Sequence, residues 1–213
     1  MAGIAEAFRD GGEWMYLILA ISVVALGVAL ERFFFLFFKY NMNAQAFMAQ
    51  IQKLVMADNV DRAIKLCNAA PSRALPQVIK AGLTRANKGE VEIQNAIEEA
   101  TLEILPKIQT RTPALQTIAN VATLAGLLGT IMGLIEAFVA LEQAAPEDRQ
   151  EELSRGIAMA MNTTAFGLIV AIPTLVAHLI LGGITKKILN EIDMYSVKLE
   201  NLLVTRGKGG PVE

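Results

Sequence analysis

Histidine, cysteine and tryptophan each occur only once among the 213 residues. A single cysteine, Cys67, excludes a disulfide framework within one copy, and a single histidine, His178, excludes a histidine metal cluster or relay. The sequence has no glycine-rich phosphate loop, no CxxC or HExxH motif and no nucleophile elbow. Its basic residues are not clustered with aromatic residues, which argues against nucleic-acid binding. We therefore expect no enzyme, no metal site and no cofactor.

Charged residues are absent from thirty consecutive positions, 156–185, and from twenty-four more, 112–135. A third apolar segment, 14–38, is interrupted by Glu31 and Arg32. A helix needs about 20 apolar residues to cross the hydrocarbon core of a bilayer. Hydrophobic residues make up 54% of the chain, and its mean hydropathy is +0.43. The pattern predicts an all-α, polytopic membrane protein with three transmembrane helices, the second and third extended into the cytoplasm.

The distribution of basic residues predicts the orientation. Eleven of the 19 lysines and arginines lie from Arg32 to Arg111, five follow Thr185, and basic residues favour the cytoplasmic side. No basic region precedes the first span, so we expect that span to remain as an anchor. The predicted segments are a periplasmic N-terminus (1–13), transmembrane helices (14–38, 112–140 and 156–185), a cytoplasmic helical segment (39–111), a periplasmic loop (141–155) and a cytoplasmic helix and tail (186–213).

The cytoplasmic segment is rich in helix-forming residues. Asp58 and Ser72 are candidate N-caps. We expect the last helix to run directly into the second span, with Pro106 and Pro113 bending the junction, and we expect the tail from Gly207 to be disordered. The predicted helices are Asn43–Met56, Asp58–Ala69, Ser72–Asn87 and Glu90–Arg111.

Small and polar residues follow one stripe of the third span. They recur at spacings of four and three and lie within an arc of about 80°. Such stripes line ordinary helix contacts in any membrane bundle, so packing is one interpretation. The other is a surface that faces a pore or a partner, which the length of the stripe, about 37 Å, favours. The stripe consists of Ala160, Thr164, Gly167, Ala171, Thr174, His178, Gly182 and Thr185.

The second span also has a polar face, which contains Asn120, Thr123 and Thr130. At about 1.5 Å per residue, Thr130 and Thr164 reach similar depths in antiparallel helices. Hydroxyl groups can hydrogen-bond a carboxyl group or line a file of water, although they do not ionise. Close helix approach is predicted at four glycines: Gly126, Gly129, Gly133 and Gly167.

Two ionisable residues in these spans have alternative interpretations. Glu136 lies roughly 120° around the helix from Thr130, so it either reaches the outer surface, where Arg149 or Arg155 can pair with it, or forms a carboxylate ring at a cation entrance. His178 is either a neutral side chain bonded to a neighbouring helix or a proton relay.

Two blocks carry a resemblance to a known family. The sequences LLGTIMGLIEAF (127–138) and GIAMAMNTTAFGLIVAIP (156–173) strongly resemble the MotA/TolQ/ExbB proton-channel family, and the match extends from about residue 105 to 205. Three spans, a cytoplasmic segment of this size and a short tail resemble the ExbB/TolQ branch, whereas flagellar MotA-type stators have four spans.

The resemblance implies a homopentamer in the bacterial inner membrane whose second and third helices surround a pore. Within it would lie helices of a single-span partner similar to ExbD or TolR, which supplies the protonatable aspartate. Proton flow would then drive work on a TonB- or TolA-like protein. By position, the pore threonines of the family correspond to Thr130 and Thr164.

One position departs from the family pattern. Many ExbB and TolQ proteins have a glutamate where this chain has Met159, and the hypothesis is that Glu136 compensates. Two other functions stay open: a motor subunit for surface gliding, which would use the same pore, and a non-conducting membrane scaffold.

Overall fold

The computed structural model describes residues 12–40 and 42–207, and every regular element in those ranges is helical. The helices are α1 (Glu13–Phe34), a π-helix (Phe35–Tyr40), α2 (Ala44–Met56), α3 (Val60–Asn68), α4 (Ala74–Thr84), α5 (Glu90–Gln109), α6 (Thr112–Gln143) and α7 (Arg149–Gly207).

Three helical stretches are long and apolar enough to cross a membrane, and each overlaps one predicted span: Glu13–Phe37, Glu90–Gln143 and Arg149–Arg206. The all-α prediction is therefore confirmed for the described residues. The residues 1–11 of the predicted periplasmic N-terminus, and the tail from Lys208 that we expected to be disordered, lie outside the described ranges.

The chain divides into two compact units. The described part of the first contains residues 12–32 and 111–180, and that of the second contains residues 33–110 and 181–207. The first unit holds the apolar parts of α1, α6 and α7. The second holds the four helices α2 to α5 together with the C-terminal part of α7.

The second span continues into α5, as predicted, but with an interruption of two residues. Helix α5 ends at Gln109, and Arg111, which adopts a left-handed conformation (φ 66°), is the N-cap of α6. Pro113 lies in the first turn of α6, where its fixed φ and missing N–H fit a helix start, so it begins a helix instead of bending one. The Arg111 guanidinium forms an ion pair with Glu31, near the end of α1.

Other predicted boundaries also differ from the structure. Helix α7 begins at Arg149, so only residues 144–148 of the predicted loop 141–155 are not helical. The N-caps of α3 and α4 are Asn59 and Arg73, one residue after the predicted Asp58 and Ser72, and neither makes a side-chain capping bond. Asp58 instead has a positive φ of 58°, and its carboxylate pairs with Arg206 at 2.5 Å.

In the second unit, the helices α2 to α5 pack in succession, and residues among them contact the C-terminal part of α7. In chain order, α2 packs against α3, α3 against α4 and α4 against α5. Gly82 in α4 lies so close to Ile97 and Leu199 that a Cβ there would meet side-chain atoms at 2.9 and 3.0 Å. Cys67 is 2% exposed in this unit, as expected for a small buried side chain.

Candidate functional site

Helices α6 and α7 approach each other along a seam of small residues. A Cβ on Gly126 would lie 3.3 Å from the Cα atoms of Gly167 and Thr164, and one on Gly133 would lie 3.2 Å from the Cα of Ala160. A Cβ on Gly129 would lie 2.8 Å from the Cβ of Thr163. These backbones approach so closely because the glycines have no side chains between them.

Three small residues of the predicted stripe on α7 belong to this seam. Ala160 and Ala171 are 1% and 2% exposed, and Gly167 faces the backbone of Ala122 and Gly126. These three residues pack against α6 of the same chain, whereas a Cβ on Gly182, further along the stripe, would meet no atom within 4 Å. The packing interpretation describes this part of the stripe.

Thr163 is a seam residue that the sequence argument missed. It is fully buried, its methyl and hydroxyl groups lie against Gly129, and its Oγ1 donates a hydrogen bond to the Ala160 carbonyl at 2.8 Å. A signal was present in the sequence, because Gly156, Ala160, Thr163 and Gly167 recur at helical spacing, and Ala160 and Gly167 also belong to the predicted stripe.

Thr130 and Thr164 meet at the edge of the seam, where both remain partly exposed. Their hydroxyl groups are in hydrogen-bond contact. The Gly126 carbonyl lies 3.1 Å from the Thr164 Oγ1 and 3.2 Å from the Thr130 Oγ1, and the Ala160 carbonyl lies 3.2 Å from the Thr130 Oγ1. Hence the residues at similar predicted depths form one polar cluster, the threonine pair.

The donors and acceptors of the two hydroxyl groups determine which groups the threonine pair can bind. Two hydroxyls supply two protons, and the neighbouring carbonyls and the other hydroxyl accept both of them. Hydroxyl lone pairs remain on the exposed side and can accept from a protonated carboxyl group. Either hydroxyl can also rotate and donate to a carboxylate. The pair can thus bind both protonation states of an acid that it does not itself provide.

The threonine pair lies within a segment whose sequence matches a known family. Residues 70–194, more than half of the chain, match the family described as the MotA/TolQ/ExbB proton channel family. The chain belongs to this family. Its relatives place it in the ExbB/TolQ branch.

Three relatives illustrate the similarity. A putative biopolymer transport protein ExbB homolog of Methanothermobacter thermautotrophicus is 27% identical over 89% of this chain and 66% of its own length. An ExbB-like protein of Synechocystis is 28% identical over 78% of both chains. The Tol-Pal system protein TolQ of Haemophilus influenzae is 36% identical over 43% of this chain and 38% of its own length.

The fold is also found in a solved structure. The C. jejuni MotAB structure matches with a TM-score of 0.58 and 16% sequence identity, over 92% of this chain and 78% of that chain. At this identity the likeness describes the fold alone. The matched chain of the C. jejuni MotAB structure and the present chain therefore share an overall fold.

The other predicted site residues do not all join the threonine pair. Asn120 and Thr123 are exposed on the same face of α6, nearer its start, and the Thr123 Oγ1 donates to the Ala119 carbonyl at 3.1 Å. Thr174 is 7% exposed and donates to the Val170 carbonyl at 2.7 Å, so it contacts neither threonine of the pair. No group of three or more His, Cys, Asp or Glu side chains in the described ranges is arranged to hold a metal ion.

Glu136 and Met159 have different surroundings. Glu136 is exposed on α6. The two arginines considered as its partners are engaged otherwise, since Arg155 pairs with Glu152 at 3.5 Å and the Arg149 Nε approaches the Ala144 carbonyl at 3.4 Å. Met159 is half-buried, and a Cβ on Gly12 would lie 3.4 Å from its Sδ. The methionine therefore lies beside the beginning of α1.

His178 connects α7 to the first turn of α6. Its Nδ1 lies 2.9 Å from the Thr112 carbonyl oxygen, and because a carbonyl can only accept, Nδ1 carries the proton. In the neutral ring, Nε2 is then the acceptor. The described contact favours the first interpretation, a histidine bonded to a neighbouring helix.

Substitution of His178 separates a structural contact from proton relay. His178→Asn keeps an N–H donor near the position of Nδ1, whereas His178→Gln places its amide nearer to Nε2. We expect Gln to lower the free energy of unfolding by about 1 kcal/mol and Asn to preserve it. Thermal unfolding in detergent measures this difference. We also expect Asn to keep proton flux; a stable Asn variant without flux would identify His178 as a relay.

Proposed function

We propose that this chain is the channel-forming subunit of a bacterial inner-membrane complex that converts the proton-motive force into mechanical work. The observation that carries the proposal is the threonine pair, two partly exposed hydroxyls at one level of the α6–α7 seam. Membership of the MotA/TolQ/ExbB proton channel family supports the same function. The energy is sufficient, because one charge that crosses 100 mV releases about 2.3 kcal/mol.

A partner has to supply the titrating group. Glu136 is the single carboxylate between Thr112 and Ala140, and none occurs from Gly156 to Thr185. A hydroxyl group does not ionise near neutral pH, so the threonine pair cannot carry protons alone. We propose that a single-span protein of the ExbD/TolR type places its aspartate opposite Thr130 and Thr164. Asn120 and Thr123, exposed on the same face of α6, then continue the path toward the cytoplasm.

The assembly and its orientation follow from the same proposal. The pore would be enclosed by five copies of this chain, with the N-terminus in the periplasm and the C-terminus in the cytoplasm. This orientation places the basic segment from Arg32 to Arg111 inside, where basic residues are favoured. The load would be a TonB- or TolA-like protein that receives the motion generated in the membrane.

Proton flux into vesicles tests the function. The purified chain is reconstituted alone and together with its single-span partner, and a membrane potential is applied while internal pH is recorded. We expect flux only with the partner, and we expect replacement of the partner's membrane aspartate by asparagine to remove it. Flux through the chain alone would contradict the need for a foreign carboxylate.

Glu136 is proposed as part of a carboxylate ring at the outer entrance of this path. Its exposure and the absence of an arginine partner among the described residues support the proposal. A ring of negative charge concentrates cations at a pore mouth. We expect Glu136→Gln to reduce partner-dependent flux by several fold, most strongly at low ionic strength. Unchanged flux in the Gln variant at low salt would remove Glu136 from the path.

A gliding or flagellar-type motor is the second candidate function. The fold shared with the C. jejuni MotAB structure favours it, since the same helical architecture occurs there. The two candidates use the same pore and differ in the load. Deletion of the gene separates them: loss of energised transport across the outer membrane supports the first, and loss of surface movement with transport intact supports the second.

A further inference from the structure

A groove with an apolar floor and a basic rim lies between α2 and α3. It is open to solvent, and the space above its floor is about 580 Å³. Leu54 and Leu66 are half-buried at its floor, and Lys53, Arg62 and Lys65 are exposed at its rim. We call this surface the basic groove; it is completed by Gln50 and Ala69.

The cations of the basic groove have one carboxylate beside them, Asp61 on α3, and form no ion pair within the described part of this chain. None of Lys53, Arg62 and Lys65 forms an ion pair there, and the nearby carboxylate of Asp58 is held by Arg206. Three like charges around an apolar floor favour an occupant that has both acidic and apolar side chains.

The outer face of α5 has this composition. Val91, Glu98 and Leu102 lie within an arc of about 40° on the helix, away from the side that contains buried Ile93 and Ile97. Val91 is 68% exposed and Leu102 is 61% exposed. Glu98 is also exposed, and it has no ion pair in the described ranges. We call Val91, Glu98 and Leu102 the acidic face.

The basic groove and the acidic face cannot meet within one chain. The groove belongs to α2 and α3, and the face belongs to α5, with α4 packed between α3 and α5. The two surfaces therefore lie at opposite ends of this row of helices. Two different patches that are complementary produce a head-to-tail contact, which closes into a ring when the rotation between copies allows it.

Both surfaces lie beside the C-terminal part of α7. The groove residues Lys53 and Arg62 lie in the last turn of α2 and the first turn of α3, on either side of Asp58, whose carboxylate contacts Arg206. Ile97, next to Glu98, lies beside Leu199 through their shared contact with Gly82. Leu199 is seven residues from Arg206, about 11 Å along the helix. Copies arranged around one axis would thus place face and groove opposite each other.

We propose that the basic groove of one copy binds the acidic face of α5 of the next copy. Leu102 and Val91 cover the apolar floor, and Glu98 pairs with the basic rim. This contact rests on the self-association proposed above, and it adds a specific cytoplasmic interface with its own charges. It is independent of the threonine pair and of proton flux.

Cysteine crosslinking of the full chain in its membrane tests the contact. The background is Cys67→Ala; burial raises the pKa of the Cys67 thiol to about 12, so this residue is a poor nucleophile even before its removal. Ala69→Cys and Leu102→Cys are combined in one chain and oxidised. We expect covalent dimers and larger species up to a closed ring. Each single-cysteine variant should stay monomeric on denaturing gels.

A matched control uses Met56→Cys with Leu102→Cys. Met56 is 59% exposed at the end of α2 and is not among the residues that line the groove. We expect this pair to give little crosslinked product. Circular dichroism of every variant checks that the helices are retained.

Charge exchange supplies the second test. Arg62→Glu with Lys65→Glu should lower the yield of the 69–102 crosslink about five- to tenfold, and adding Glu98→Arg should restore most of it. The mass of the wild-type complex in detergent reports self-association separately. Absence of the 69–102 crosslink in an intact oligomer would overturn the proposed contact. The same result is expected if an acidic lipid or another protein fills the groove, and it would overturn the proposal equally. A monomeric wild-type chain would instead overturn the homo-oligomeric part of the proposed function.

Discussion

Thr164→Val is expected to reduce partner-dependent proton flux about 10- to 100-fold, the effect of losing one hydrogen bond to a charged group. Valine has nearly the shape of threonine and lacks the hydroxyl, so the seam beside Gly126 stays packed while the threonine pair is lost. The remaining Thr130 hydroxyl still has the Gly126 and Ala160 carbonyls as acceptors. Vesicle flux measurements at a fixed membrane potential check this result.

Thr164→Ser is the matched control. Serine keeps the hydroxyl and removes one methyl group, and we expect it to retain most of the flux. The complex should assemble with the partner in both variants. Normal flux in the valine variant would exclude the hydroxyl from the path, and loss of assembly with valine would support the scaffold function that the sequence left open.

Gly167→Ala is expected to separate α6 from α7 and to inactivate the complex. A Cβ at this position would lie 2.9 Å from the Ala122 carbonyl oxygen and 3.0 Å from the Gly126 Cα, both backbone atoms that no side-chain rotation can move. Overpacking of this kind costs about 1–3 kcal/mol. The shift would also carry Thr164 away from Thr130. Thermal unfolding in detergent measures the loss of stability, and vesicle flux measures the loss of function.

Gly182→Ala provides the comparison, because a Cβ at Gly182 would have no atom within 4 Å. Both substitutions exchange glycine for alanine within the same helix, so they gain similar helix propensity and differ in the space available. We expect Gly182→Ala to unfold at the wild-type temperature or slightly above it. Equal destabilisation of the two variants would mean that the close contact at Gly167 does not stabilise the protein.

The sequence predicts the membrane helices well because hydropathy over 20 residues is a strong signal, and the structure places helices at all three spans. Helix starts are weaker signals, since Asn59 and Arg73 begin helices without a side-chain capping bond. The break before α6 depends on a positive φ at Arg111. Arginine rarely adopts a positive φ, so no residue pattern predicted the break.

The candidate site was only partly predictable for a different reason. A small-residue stripe has the same sequence pattern whether it contacts its own chain or another one. The pairing of Gly129 with Thr163, and of Gly133 with Ala160, is a property of two helices and their register. Thr130 and Thr164 could be matched because a short connection joins antiparallel helices, which fixes their relative depth.

The close fit of the α6–α7 seam also constrains how the protein can evolve. Gly156 faces Ala137, and Gly133 faces Ala160, so each position has one opposing residue that limits its size. An added methyl group on either glycine would also meet backbone atoms, the Ala137 Cα at 2.9 Å and the Ala160 Cα and N at 3.2 Å, so loss of the opposing methyl group alone would not make room. A larger residue at either glycine therefore requires the two helix backbones to move apart. Descendant sequences should keep glycine at both positions.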